Sequence, residues 1–169
     1  MEISVANRQR KVGISSKHAR LIALSVLEGE SACFDEISIA FLSEKAMCRL
    51  NRMFTGRAGP TDTLAFELLP ERVRGRRIAG RRVGEVIVCV ERAMVQSRIH
   101  KVSPQKELAR LLVHGLLHLC GFSDTSGKAR ERMRRREDYY MTQLRSTVSS
   151  LVRLPLRGLV TRSSRGRRF

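Results

Sequence analysis

The chain has 169 residues, 42% of them apolar, and its 33 Lys plus Arg against 16 Asp plus Glu leave a formal charge of +17. That length and composition support one compact domain with a real core and exclude wholesale disorder. Apolar runs such as Leu21 to Leu27 fall far short of the roughly 18 residues a membrane span needs, so no membrane is expected as a partner.

Residues 2 to 7 alternate apolar and polar, which predicts a strand. Ser15 or Ser16 caps a helix expected to run to about Glu28, with Ala19, Ile22, Ala23, Val26 and Leu27 on one face and Gly29 closing it. Ile37, Ile39 and Phe41 alternate with Ser38 and Ala40 as a second strand. Ser43 starts a short helix carrying Met47 and Leu50, and Gly56, Gly59 and Pro60 mark a loop from Phe54 to Thr61. Thr63 to Leu68 is strand-like, and Val86 to Val90 is an apolar run short enough for a buried strand. Between them Arg72, Arg74, Arg76, Arg77, Arg81 and Arg82, interrupted by Gly75 and Gly80, read as a basic loop. Beyond Val90 the pattern turns helical. Pro104 opens a helix striped by Leu108, Leu111, Leu112 and Leu119 and stopped by Gly121, and another runs from about Ser126 to the 140s. These elements predict an α+β (mixed α/β) domain over residues 1–147, a small mixed sheet of about four strands packed with helices. Residues 148–169, with Pro155, Gly158, Ser163, Ser164 and Gly166, read as a basic, weakly ordered tail.

The charge is unevenly placed. From Tyr139 to Phe169 there are seven Arg and no acid, and Arg132, Arg134, Arg135 and Arg136 cluster on the predicted final helix. A field of one sign this large favours a polyanion, and arginine suits bidentate phosphate contacts; the plain alternative is a solvated surface. With no Trp, two Tyr and six Phe, an exposed aromatic platform for bases is not the expected mode. The opening Met-Glu-Ile-Ser-Val has neither a cationic lead nor an apolar core, which predicts a cytoplasmic protein. Cys33, Cys48, Cys89 and Cys120 lie far apart without a Cys-x-x-Cys pair, as expected of reduced core thiols.

Two of the four histidines form His114-Gly-Leu-Leu-His118 on the helix that Gly121 ends, followed by Asp124. Positions i and i+4 share one helical face, so both imidazoles can reach one ion. The turn at Gly121 lets the chain double back and bring the Asp124 carboxylate to the same place. Two His and one carboxylate leave a fourth position open, as in a catalytic zinc site. Zinc proteases of the metzincin type share this spacing but carry Glu directly after the first His; here that residue is Gly115, which disfavours a protease.

The run His114-Gly115-Leu116-Leu117-His118-Leu119-Cys120-Gly121-Phe122-Ser123-Asp124 resembles the signature of the YbeY family of bacterial metal-dependent endoribonucleases. The likeness extends to Pro60-Thr61-Asp62-Thr63-Leu64-Ala65-Phe66, to Gly84-Glu85-Val86-Ile87-Val88 and to Glu107, and covers about residues 36 to 133. The resemblance implies a single zinc ion held by His114, His118 and Asp124. It also implies cleavage of single-stranded RNA, with rRNA and the small ribosomal subunit as partners, in 3′-end maturation and ribosome quality control. Two positions depart from the family pattern. Asp124 stands where the family has His, which lowers the charge of the site and suits a harder divalent ion as well as zinc. Thr55 follows Phe54 where the family has an Arg thought to face the RNA, so Arg57 or Arg52 takes over the expected phosphate contact. Glu107 is a structural partner behind the metal ligands, a catalyst, or a surface pair with an Arg, and Asp62 is expected to tie its loop to the sheet more than to perform chemistry. Two other readings stay open: a non-catalytic RNA-binding assembly factor with a structural metal, and a metal hydrolase of another substrate.

Overall fold

Period-two alternation in the first half of the chain and period-3.6 stripes in the second build a sheet and then the helices that cover it. The structure, a computed structural model, describes residues 1–56, 58–68, 72–73, 76–77 and 81–153. The elements run β1 (Glu2–Asn7), β2 (Gly13–Ile14), α1 (Ser16–Gly29), β3 (Glu36–Leu42), α2 (Glu44–Thr55), β4 (Thr63–Leu68), β5 (Arg72–Val73) and β6 (Arg76–Arg77). They continue with β7 (Val83–Cys89), α3 (Val90–Ile99), α4 (Pro104–Leu119), α5 (Gly127–Gln143), α6 (Arg145–Ser149) and β8 (Val152–Arg153). The main sheet has the order β1-β3-β7-β4; β1, β3 and β7 are parallel and the edge strand β4 runs antiparallel to β7, with Thr63 opposite Val88. This is the small mixed sheet of an α+β fold.

The alternation decides what lies on each face. Ile37, Ile39, Phe41, Val86 and Val88 point into the main core, where α1 and α4 cover them, while Ala40, Leu42, Ile87 and Cys89 point the other way and meet Met47 of α2. Helix α4 is the centre of the fold. Ser103 caps it by accepting from the Lys106 N–H, Pro104 begins it, and ten of its sixteen residues are buried. The six that are not are Pro104, Gln105, Lys106, Arg110, His114 and His118. Four of these are spaced by four residues, so the buried helix opens to solvent along one narrow stripe, and the stripe carries the histidines.

Several boundaries differ from the expectation, each for a local reason. Phe54 and Thr55 belong to α2, because Gly56 adopts φ 68° and closes the helix there. Gly29 stays helical and the turn falls at Ser31, φ 53°. Val90 begins α3 instead of ending the strand. Two pairs of residues in the arginine-rich segment are bridged as β5 and β6, with Arg72 opposite Arg77. The packed chain also continues six residues past the boundary expected at residue 147. Val148, Leu151 and Val152 are buried, and β8 pairs with β2. Three apolar residues in a basic segment make too short a pattern to announce a strand, but β2 and α1 supply the partners. Residues 154–169 lie outside the described residues. Among the cysteines, all free, Cys89 is buried, Cys48 and Cys120 half-buried, and Cys33 exposed and so not a core thiol.

Candidate metal centre

His114 and His118 stand one turn apart on α4 with ring centroids 4.5 Å apart, and between them Gly115 faces the sheet. A Cβ at 115 would come within 2.5 Å of Val86 Cγ1 and 2.9 Å of Thr63 Cγ2. The glycine is therefore what lets α4 settle onto β7 and β4. It also shows why this position cannot carry a protease-like glutamate: it points into strand side chains, away from the histidine stripe.

The outer nitrogen of each imidazole is committed. His118 Nδ1 lies 3.0 Å from the Phe122 carbonyl, which can only accept, so Nδ1 holds the proton. His114 Nδ1 lies 2.8 Å from Glu137 Oε1, and the other Glu137 oxygen accepts from Arg110 at 3.1 Å. Both neutral rings then present a bare Nε2, and these two atoms face each other at 3.0 Å. Two lone pairs at that separation repel unless a cation or a shared proton lies between them. Independently of this pair, His114 holds its proton more tightly than an ordinary histidine. Burial disfavours the cation, but the hydrogen bond and charge of Glu137, with Asp124 and Asp62 adding to it, outweigh burial.

The third donor comes from the turn. Leu117 O accepts from Phe122 N–H and His118 O from Gly121 N–H, while Gly121 takes φ 87°, so the chain reverses and returns Asp124 to the histidines. One donor atom from each of His114, His118 and Asp124 lies within 4.8 Å of the others. Two imidazole nitrogens and a carboxylate oxygen fit a divalent cation of borderline hardness and leave coordination positions open. Cys120, whose thiol is pushed up to about 11 by burial, is not among the gathered donors.

The remaining expected residues divide. Asp62 ties its loop down: one carboxylate oxygen accepts from Thr63 N–H, the other from Gln96 Nε2, and its carbonyl accepts from Cys89 N–H. Glu107 is buried and 3.3 Å from His100 Nδ1, so it is not a surface pair with an arginine. Arg52 is exposed on α2, beside a shallow depression with Cys48, Arg49 and Met53, and is not among the gathered donors. Arg57 lies outside the described residues. Thr55, at the position where an Arg was expected, turns its hydroxyl back onto Asn51 O at 2.7 Å. Glu137 was missed, because an acid that follows three consecutive arginines and precedes Asp138 looks like part of a solvated charge run. Its one signal is the spacing from Met133, which puts it on the buried face of that helix.

Comparison with known proteins places this geometry. The family profile described as Endoribonuclease YbeY matches residues 4–145. The chain belongs to the YbeY endoribonuclease family. Among curated YbeY endoribonucleases, the one from Alkaliphilus metalliredigens is 30% identical over 149 residues, covering 85% of this chain and 96% of its own. That from Chlorobium phaeobacteroides is 32% identical over 147 residues, covering 86% and 99%, and that from Desulfitobacterium hafniense 36% over 129 residues, covering 75% and 80%. A Thermotoga maritima protein solved in solution superposes with a TM-score of 0.54 at 26% identity, covering 85% of this chain and 92% of its own. The YbeY match spans the three donors and Glu137, and stops before β8.

Proposed function

We propose that the protein is a metal-dependent endoribonuclease that hydrolyses phosphodiester bonds in single-stranded RNA. Its setting is the cytoplasm, with rRNA and the small ribosomal subunit as partners, in 3′-end maturation and ribosome quality control. The observation that carries this reading is the pair of Nε2 atoms turned toward each other beside Asp124, in a chain of the YbeY endoribonuclease family. Zinc is the proposed ion, with Asp124 admitting a harder divalent cation.

A bound divalent ion supplies Lewis-acid chemistry at a phosphate oxygen and acidifies water. The chain's own contribution is to present the donors without reorganisation: Glu137 and the Phe122 carbonyl fix both rings, and the buried α4 fixes their spacing. No general base stands on the helix, since Gly115 has no room for one. The attacking oxygen, of water or in the alternative of the RNA 2′-hydroxyl, then gives up its proton to solvent. Arg52 is proposed to reach a flanking phosphate from the outer face of α2.

One observation favours a second reading, an RNA-binding assembly factor that keeps the ion for structure. At the expected arginine position the structure offers the Thr55 hydroxyl, bonded back to its own helix. Metal-loaded and metal-stripped protein, with His114→Ala and Asp124→Ala, incubated with rRNA, separates the two. Cleavage by loaded wild type alone supports the nuclease; undiminished RNA binding without cleavage by any form supports the assembly factor. Cleavage that survives both stripping and both variants removes the metal from the chemistry.

A further inference from the structure

The open stripe of α4 does not end at the histidines. Stepping back by four residues from His114 leads to Arg110 and then to Lys106, eight residues and about 12 Å along the axis. There the stripe enters a cavity of about 440 Å³ between the first turns of α4, the end of α5 and α6, within the size range of small-molecule sites. Its floor is apolar, built from buried Met141 and Val148. Its rim is cationic, with Lys106, Arg110 and Arg145 against a single acid, Asp138.

The three cations are not equivalent. Arg110 is spent on Glu137 and Asp138, at 3.1 and 2.9 Å. Lys106 and Arg145 are exposed and have no ion-pair partner among the described residues. Gln105 Oε1, also in the lining, is shielded from solvent and accepts no hydrogen bond among the described residues. A buried acceptor left open is costly, and turning the Gln105 amide out into the cavity would let an exocyclic amine of a nucleobase satisfy it. Apolar floor, open acceptor and two free cations together match a nucleotide unit: ring on Met141 and Val148, amine on Gln105, phosphates on Lys106 and Arg145.

We propose that this cavity binds a nucleotide of the RNA strand itself, about two to four nucleotides from the phosphate at the histidines. The upper figure comes from helical stacking at about 3.4 Å per residue. This rests on the endoribonuclease reading and adds a subsite to it. The open stripe of α4 then holds the substrate at both ends, with Arg110 between them.

The test is fluorescence anisotropy of metal-stripped protein with single-stranded RNAs of four and ten nucleotides over a salt series. Wild type is expected to favour the longer RNA. In the double variant Lys106→Ala/Arg145→Ala that preference should fall at least fivefold, and the salt slope for the longer RNA should flatten by about 1.4, two phosphate contacts on a single strand. Thr142→Glu, which places a carboxylate at the cavity edge, should act in the same direction. Arg134→Ala/Arg135→Ala removes equal charge elsewhere and should leave the preference intact. An unchanged slope in the Lys106/Arg145 variant, or an equal loss in the Arg134/Arg135 variant, overturns the subsite. Wild type that neither binds nor, when loaded, cleaves any RNA overturns the nuclease reading with it.

Discussion

The stripe of α4 and the arginine face of α5 are both dense in chemistry-bearing side chains, yet they are built in opposite ways. On α5 four of the five arginines close on neighbours. Arg134 and Arg135 both reach Glu131, Arg136 binds Glu30 and lies against Tyr140, and Arg132 sits over the Phe122 ring. Arg82, from the other cluster, is likewise forked onto Glu67 and stacked on Phe34. On α4 the outward atoms are committed so that the inward ones are left open, with Glu137 and the Phe122 carbonyl holding the rings from behind. A count of 33 basic side chains therefore overstates the unpaired cations, and a pair of histidines understates how much of the fold is spent on aiming them.

Five experiments would break or sharpen that contrast. His114→Ala should remove retained metal and RNA cleavage together, by more than a hundredfold. His100→Ala, at a histidine that faces Glu107 instead, should spare both; equal losses would erase the distinction. Glu137→Gln keeps an acceptor for Nδ1 but gives up the charge and the Arg110 pair, and metal affinity by chelator competition should fall about 10- to 100-fold. An unaltered affinity would make Glu137 a mere packing residue.

Acidity should act oppositely on the two states of the site. The raised affinity of His114 for its proton stabilises the metal-free fold fully below the ordinary histidine range, and that contribution is lost as pH rises through the raised value. Metal binding needs the ring neutral, so its affinity should grow over the same window, by up to about tenfold per pH unit. Denaturation midpoints and titrations at matched pH would show both trends; parallel trends would contradict the shared-nitrogen geometry.

Gly115→Ala should cost about 1–3 kcal/mol in chemical denaturation, since Val86 lies where the methyl must go. The smallest effect is expected on α5, where Arg134→Ala should leave the unfolding midpoint unmoved, as surface ion pairs usually do. A large shift there would mean that the arginine face is structural.

Much of this was legible from residue order. Alternation located β1, β3 and β4, and the i, i+4 histidines with Gly121 and Asp124 announced a gathered set because helix and turn geometry are local. What could not be read depended on contacts distant in sequence. Glu137 reaches His114 across 23 positions and Arg136 reaches Glu30 across 106, with no local pattern to mark either. The pairing of β8 with β2 was hidden for the same reason, and so was the difference between the spent Arg110 and the free Lys106 on one helix face.

Gly115 also limits what this scaffold can become. A side chain there would lift α4 from Thr63 and Val86 and carry both histidines away from the turn that presents Asp124. Acquiring a helix-borne carboxylate base and keeping the gathered donors are thus competing outcomes of one position. A lineage on this fold could change its substrate through the residues lining the cavity far more readily than it could cross to peptide hydrolysis through the helix.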